Sequence, residues 1–151
     1  MLFQRALLAF LALPGVVAVL LPPFIADIDP FRWSGTIFGI AVLLAGFSLL
    51  VWCVWDFYVA GKGTLAPWDP PESLVIVGLY KYTRNPMYVA VLTMLLGWAL
   101  LYGSAFVSIY GISFALIFHQ RVARYEEPWL SKTFGSDWQR YAAEVPRWLI
   151  R

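Results

Sequence analysis

The sequence predicts an all-α integral membrane protein of four transmembrane helices, with a tight hairpin between the third and fourth and short cytoplasmic helices at the C-terminal end. Three observations carry that expectation. Of the 151 residues, 61% are hydrophobic and only 13% charged, against roughly 25% charged in an ordinary soluble domain, so most of the surface is expected to face lipid. The few charges are spaced to leave long uncharged runs. The basic residues then fall almost entirely on one side of those runs. A chain of this length reads as one domain, residues 1–151.

Arg5 and Asp27 enclose an uncharged run from Ala6 to Ala26, and Arg32 and Asp56 enclose one from Trp33 to Trp55. Each suits a single spanning helix, which needs about 20 apolar residues. Pro14-Gly15 is expected to bend the first. That first run is read as a retained helix rather than a cleaved leader, because Pro22-Pro23-Phe24-Ile25 stands where a small-residue cleavage motif is required. The third run, Asn85 to Gln120, lies between Arg84 and Arg121. It is too long for one span and suits two short ones. The break is expected at Tyr102-Gly103-Ser104, where glycine can take the backbone angles of a tight helix–helix turn. Two short spans suit a thinned or water-filled region of the bilayer.

The connecting segments follow from their prolines and glycines. Pro67, Pro70 and Pro71 make the stretch from Gly61 to Leu79 a stiff non-helical loop. Asn85-Pro86 reads as a helix start, with Asn85 as the capping residue and Pro86 at the first helical position. The fourth helix is expected to run to Glu126 and to bend there, because Pro128 disfavours helical angles at Glu127. Gly135 should end the short helix that follows, and Ser136 should cap a last one through Tyr141.

Orientation follows from the basic residues. Of the 11 Lys and Arg, only Arg32 falls on one side of the expected membrane. The other side, which carries both termini, is therefore cytoplasmic. The formal net charge of +2 implies no polyanionic partner such as nucleic acid. Cys53 is the single cysteine, so there is no intrachain disulfide; it reads as a small buried apolar residue. One histidine, His119, cannot by itself build a zinc or iron site, so no metal is expected.

This topology brings four polar segments to the cytoplasmic face: Gly61-Lys62-Gly63, Arg84-Asn85-Pro86-Met87-Tyr88, Glu126-Glu127, and the tail from Tyr141 to Arg147. A charged cytosolic cofactor would reach such a face, while a lipid substrate would enter sideways from the bilayer. Each segment also has a structural reading. Two glycines after a helix often make only a turn. Arg84 would serve as a membrane anchor, and Tyr88 and His119 as interfacial residues. Arg124 and Glu127, three apart on a helix, would simply pair.

A resemblance weighs between these readings. From Gly61 to Arg147 the chain resembles the bacterial branch of the isoprenylcysteine carboxyl methyltransferase and phospholipid N-methyltransferase superfamily. The resemblance lies in Gly61-Lys62-Gly63-Thr64, Ala66-Pro67-Trp68-Asp69-Pro70-Pro71 and the run Gly78 to Tyr88. It continues in Glu126-Glu127-Pro128, Phe134-Gly135, Tyr141 and Val145-Pro146-Arg147. The Arg-x-Pro-x-Tyr element, the Glu pair and the Val-Pro-Arg tail are specific together and not singly. The resemblance implies an S-adenosylmethionine-dependent methyltransferase of a bacterial inner membrane, with the cofactor held by Gly61, Gly63, Arg84, Asn85, Pro86, Tyr88, Glu126 and Glu127, and by Tyr141 and Arg147. Asn85 departs from the eukaryotic carboxyl methyltransferases, which have histidine there. Asn hydrogen-bonds but takes no proton near neutral pH, so the eukaryotic substrate does not carry over.

The residue types suit that chemistry. Glu126 or Glu127 would meet the cofactor's ammonium or ribose hydroxyls, and Arg84 or Arg147 its carboxylate in a bidentate pair. Tyr and Trp faces suit a sulfonium and an adenine. No catalytic base is assigned: a carboxylate or thiolate acceptor needs none, and for an amine Glu126, Glu127 and His119 all stand as candidates. The acceptor is a lipophilic small molecule or lipid, open among amine, carboxylate, phenol and thiol. Two other classes stay in view: an NADPH-dependent membrane reductase of related fold, and a non-catalytic membrane scaffold.

Overall fold

The structure, a computed structural model, describes residues 11–61 and 73–149. Among the described residues it is entirely helical, with no strand. Helix α1 is wound as a π-helix over Leu11–Leu20, with Pro14 inside it, and tightens to an α-helix over Leu21–Asp27. Helix α2 spans Phe38–Gly61, α3 Pro86–Tyr102 and α4 Ala105–Arg121. A π-wound turn, Val122–Glu126, joins α4 to α5, Glu127–Glu144. A 3₁₀ turn, Gly78–Lys81, precedes α3.

The body is organised on the α2–α3 crossing. A Cβ on Gly39 would stand 2.5 Å from the Leu101 backbone nitrogen, and one on Gly97 would stand 2.7 Å from that of Leu43. The two backbones therefore touch where each helix presents a glycine, the close approach that small residues allow between helices lacking a hydrophobic driving force. Around this seam Ala18 of α1, Leu50 of α2 and Ala90, Val91, Met94 and Leu95 of α3 form the main core. Trp98 Nε1 and the Tyr110 hydroxyl donate to the carbonyls of Ala18 and Val17, tying α1 to α3 and α4.

The α3–α4 hairpin turns where the sequence places it. Gly103 takes left-handed angles (φ 58°, ψ 46°) and returns its N–H to Ala99 O. Ser104 caps α4 by accepting from Val107 N at 3.2 Å. Asp29, from the loop after α1, locks the turn. Its Oδ2 accepts from the Ser104 hydroxyl at 2.6 Å and from Phe106 N at 2.9 Å, and its Oδ1 accepts from Phe31 N.

Large apolar side chains stay exposed along the body: Leu44 and Trp55 on α2, Ile109, Ile112 and Leu116 on α4 are each more than 60% accessible. Two helical stretches are long and apolar enough to cross a membrane, Phe38–Asp56 and Ala105–Glu144, the second kinked at Gly135. Only 22% and 11% of their apolar windows are buried inside the protein, whereas the core helix of a soluble domain would be mostly covered. Pro14–Asp27 and Pro86–Tyr102 are shorter apolar helices.

One expectation about the chain path fails. The helix does not bend at Glu127, whose angles are helical (φ −63°, ψ −43°). Pro128 lacks an N–H and its ring crowds the Arg124 carbonyl. The preceding turn is π-wound, and that widening accommodates the ring without breaking the helix. The break at Gly135 falls where it is expected (φ 53°, ψ −122°), and the stretch after it runs on to Glu144, beyond Tyr141.

Candidate functional site

The start of α3 and the two ends of α5 meet at one corner. The tail after α5 lies over the entry to α3: Arg84 N donates to Pro146 O at 2.9 Å, and Thr83 Oγ1 and Asn85 Nδ2 both donate to Arg147 O. Asn85 thus stands at the cap position of α3 but does not cap it with its side chain. Pro86 supplies the fixed φ of the first turn, and the Asn85 amide is drawn instead to the tail.

That crossing places three charges together. Glu127 accepts from Arg147 in a bidentate pair, Nε to Oε1 at 2.9 Å and Nη2 to Oε2 at 2.7 Å. Its Oε1 also lies 3.1 Å from Nη1 of Arg84. The expected Arg124–Glu127 pair is not what Glu127 makes, because tertiary partners with better geometry claim its carboxylate. The hydrogen bonds to Glu127 hold the Arg147 guanidinium above its ordinary value against the opposing effect of burial. Arg84 also stacks over Trp138, with Cζ 5.4 Å from the ring centre. Its Nε is buried and has no hydrogen-bond partner among the described residues. An unfilled guanidinium N–H of this kind suits a carboxylate or a carbonyl oxygen on a ligand.

Glu126 faces the other way. Its Oε1 accepts from the Tyr88 hydroxyl at 2.5 Å and from Arg121 Nε at 2.7 Å. The five-residue spacing of Arg121 and Glu126 puts them on one face only because the turn between them is π-wound. The Tyr88 ring stacks on Phe118 of α4 at 4.4 Å. Tyr141 is buried and donates to Tyr80 O at 2.7 Å, fastening α5 to the 3₁₀ turn. His119 lies at the margin, accepting at Nδ1 from Trp148 Nε1 at 3.2 Å.

Of the sequence-derived site residues, Arg84, Asn85, Glu127 and Arg147 converge directly, and Pro86 is buried at the start of the same helix. Tyr88 and Glu126 form a second pair nearby, and Tyr141 acts as a fastening beneath. Gly61 ends α2, and Gly63 lies outside the described residues. Sequence reasoning passed over Thr83, Tyr80, Trp138 and Arg121. Trp138 stands three residues before Tyr141, so helical spacing alone aims both at the same neighbour. Arg121 gives no such signal without the π turn.

Fold and site together define a helical, membrane-type protein with a charged, aromatic-backed corner at one end. The family comparison agrees: the phospholipid methyltransferase family model matches residues 34–137, well over half of the chain, and the protein belongs to that family. An uncharacterized protein of Haemophilus influenzae is 36% identical over 63 residues, covering 42% of this chain and all of that one. No solved structure matches.

Proposed function

We propose that the protein transfers a methyl group from S-adenosylmethionine to a lipophilic acceptor at the cytoplasmic face of a bacterial inner membrane. The observation that carries this reading is a corner with unfilled hydrogen-bonding capacity, at Arg84 Nε, inside a chain of the phospholipid methyltransferase family. In this reading all four long helices cross the bilayer and both termini are cytoplasmic, on the strength of the one-sided distribution of Lys and Arg. At 1.5 Å per residue the 17 residues of α3 reach about 26 Å, short of the roughly 30 Å hydrocarbon core. The hairpin would thin the membrane around it and bring a lipid acceptor toward the corner.

When bound, S-adenosylmethionine supplies an electrophilic methyl on a sulfonium. The chain's task is to position and to exclude water. Arg84 presents an N–H for the cofactor's carboxylate, and Arg147 a second guanidinium beside it. The Tyr88 ring, stacked on Phe118 by one face, would offer the other to an adenine or a cation, and the buried Trp138 ring backs Arg84. Glu126 and Glu127 hold these groups in place, Asn85, Pro86 and Tyr141 fix the corner they share, and the family resemblance would assign Gly61 and Gly63 to close backbone approach.

Thermal unfolding of the detergent-solubilised protein tests the reading. A ligand that binds only the folded state at a hundred times its Kd adds about 2.7 kcal/mol of stability. S-adenosylmethionine and S-adenosylhomocysteine should both raise the midpoint, and NADPH should not. Stabilisation by NADPH alone would make the protein a reductase, and silence from all three would leave a scaffold.

A further inference from the structure

Among the described residues two buried side-chain atoms lack a hydrogen-bond partner: Arg84 Nε and Asp56 Oδ2. Asp56 stands near the end of α2, and no motif marks it. A Cβ on Gly78, which has φ +54°, would stand 1.8 Å from Asp56 Oδ2, so the carboxylate packs where only a glycine fits. Gly78 opens the 3₁₀ turn that leads to Arg84 and whose Tyr80 carbonyl receives Tyr141. Asp56 is thus seated on the scaffold of the same corner. Its charge is felt there: burial, together with Cys53, Tyr141, Asp56 and Tyr88, pushes the Tyr80 hydroxyl well above its ordinary value.

A carboxylate oxygen shut away from water without a donor is unfavourable, and a folded chain keeps such an atom rarely. The other acids of the corner are committed. Glu126 is held by Tyr88 and Arg121, and Glu127 by Arg84 and Arg147. An incoming ammonium would share either carboxylate with a guanidinium that already neutralises it, whereas Asp56 Oδ2 has no such partner. A sulfonium has no N–H to give, so it would not satisfy that oxygen; an ammonium does. We infer that Asp56 receives the ammonium of the cofactor's amino-acid end, a binding role that rests on the S-adenosylmethionine reading above. Glu126 and Glu127 then serve to hold Tyr88, Arg121, Arg84 and Arg147 in place rather than to meet the ammonium.

The test uses Asp56→Asn, which keeps the shape and removes the charge, with Asp56→Ala as a second variant. Each is purified in detergent and titrated with S-adenosylmethionine, S-adenosylhomocysteine and an S-adenosylhomocysteine analogue lacking the α-amino group. The ligand-free variants should unfold at or above the wild-type temperature, because a buried oxygen without a donor no longer carries charge. Both natural ligands should bind at least about tenfold more weakly to the variants, while the amine-free analogue should bind variants and wild type alike. Unchanged affinity for S-adenosylmethionine in both variants overturns the inference. So does an equal loss for the analogue, or a clear drop in ligand-free stability, either of which would mark a structural carboxylate. If the wild type itself binds neither natural ligand, the methyltransferase reading fails, and this assignment with it.

Discussion

Where α3 turns into α4, the buried polar side chains are satisfied: Asp29 accepts from Ser104, Phe106 and Phe31, and Ser104 in turn caps α4. At the opposite end, where α3 begins, Arg84 Nε and Asp56 Oδ2 are both left unpaired among the described residues. Both ends carry buried or half-buried carboxylates, yet one end closes its hydrogen bonds and the other does not. Leaving a buried polar atom unpaired costs about 1–3 kcal/mol, so the open end is the one where a ligand has something to complete. The closed end is a latch.

The comparison can be broken by substitution. The largest effect should come from Glu127→Ala. It removes the one anion that separates Arg84 from Arg147, both drawn to it within 3.1 Å. Losing hydrogen bonds to a charged, half-buried group costs about 1.5–3 kcal/mol, and denaturation in detergent micelles should register most of it together with loss of cofactor-induced stabilisation. Loss of stability with the cofactor response intact would show that the corner is a second latch.

The closed end should respond differently. Ser104→Ala removes a helix cap worth about 1 kcal/mol and one donor to Asp29, and should leave the cofactor response unchanged. Tyr88→Phe is expected to cost a similar amount, about 1 kcal/mol, through its lost bond to Glu126. Unlike Ser104→Ala, it should weaken the cofactor response. Equal ligand responses in these two variants would erase the distinction between the ends.

Acid titration sharpens the contrast further. Burial alone would raise the Asp29 carboxyl, but the hydrogen bonds from Ser104 and from the Phe106, Phe31 and Ala105 backbones outweigh it and hold the group below 3.8. A carboxyl with a depressed folded value contributes stability that is fully present above its unfolded value and is lost as pH falls through the folded one. The latch should therefore hold at neutral pH and weaken only below about pH 3.8. Asp29→Asn should flatten that acid limb of the stability curve; an unchanged limb would place the acid sensitivity elsewhere. The smallest effect should be that of Trp148→Phe. It loses only the exposed bond to His119, and stability should change by no more than about 0.5 kcal/mol.

Some of this was legible in the chain. Gly103 marked the hairpin and Asn85-Pro86 the start of α3, because glycine and proline constrain the backbone locally. The grouping of Arg84, Glu127 and Arg147 followed from charge placement about uncharged runs and from the motif resemblance. The errors were also local rules, overruled by distant partners. Arg124 and Glu127 have helical pairing distance, but Glu127 is claimed by residues 43 positions before it and 20 after. Asn85 has capping chemistry, but the tail carbonyl of Arg147 lies within reach of its amide. Pro128 should bend a regular helix, and does not bend one whose preceding turn is already widened.

The sequence by itself determined the helical character, the exposed apolar body, the turn at Gly103 and the residue types of the corner. Each depends on composition or on backbone limits that act within a few residues. Tertiary structure alone decided that Gly39 and Gly97 bring α2 and α3 into backbone contact, that Asp29 reaches the start of α4, and that Asp56 is sealed against Gly78 without a donor. Those outcomes depend on which helices cross and at what distance, and no residue spacing along one chain encodes that separation.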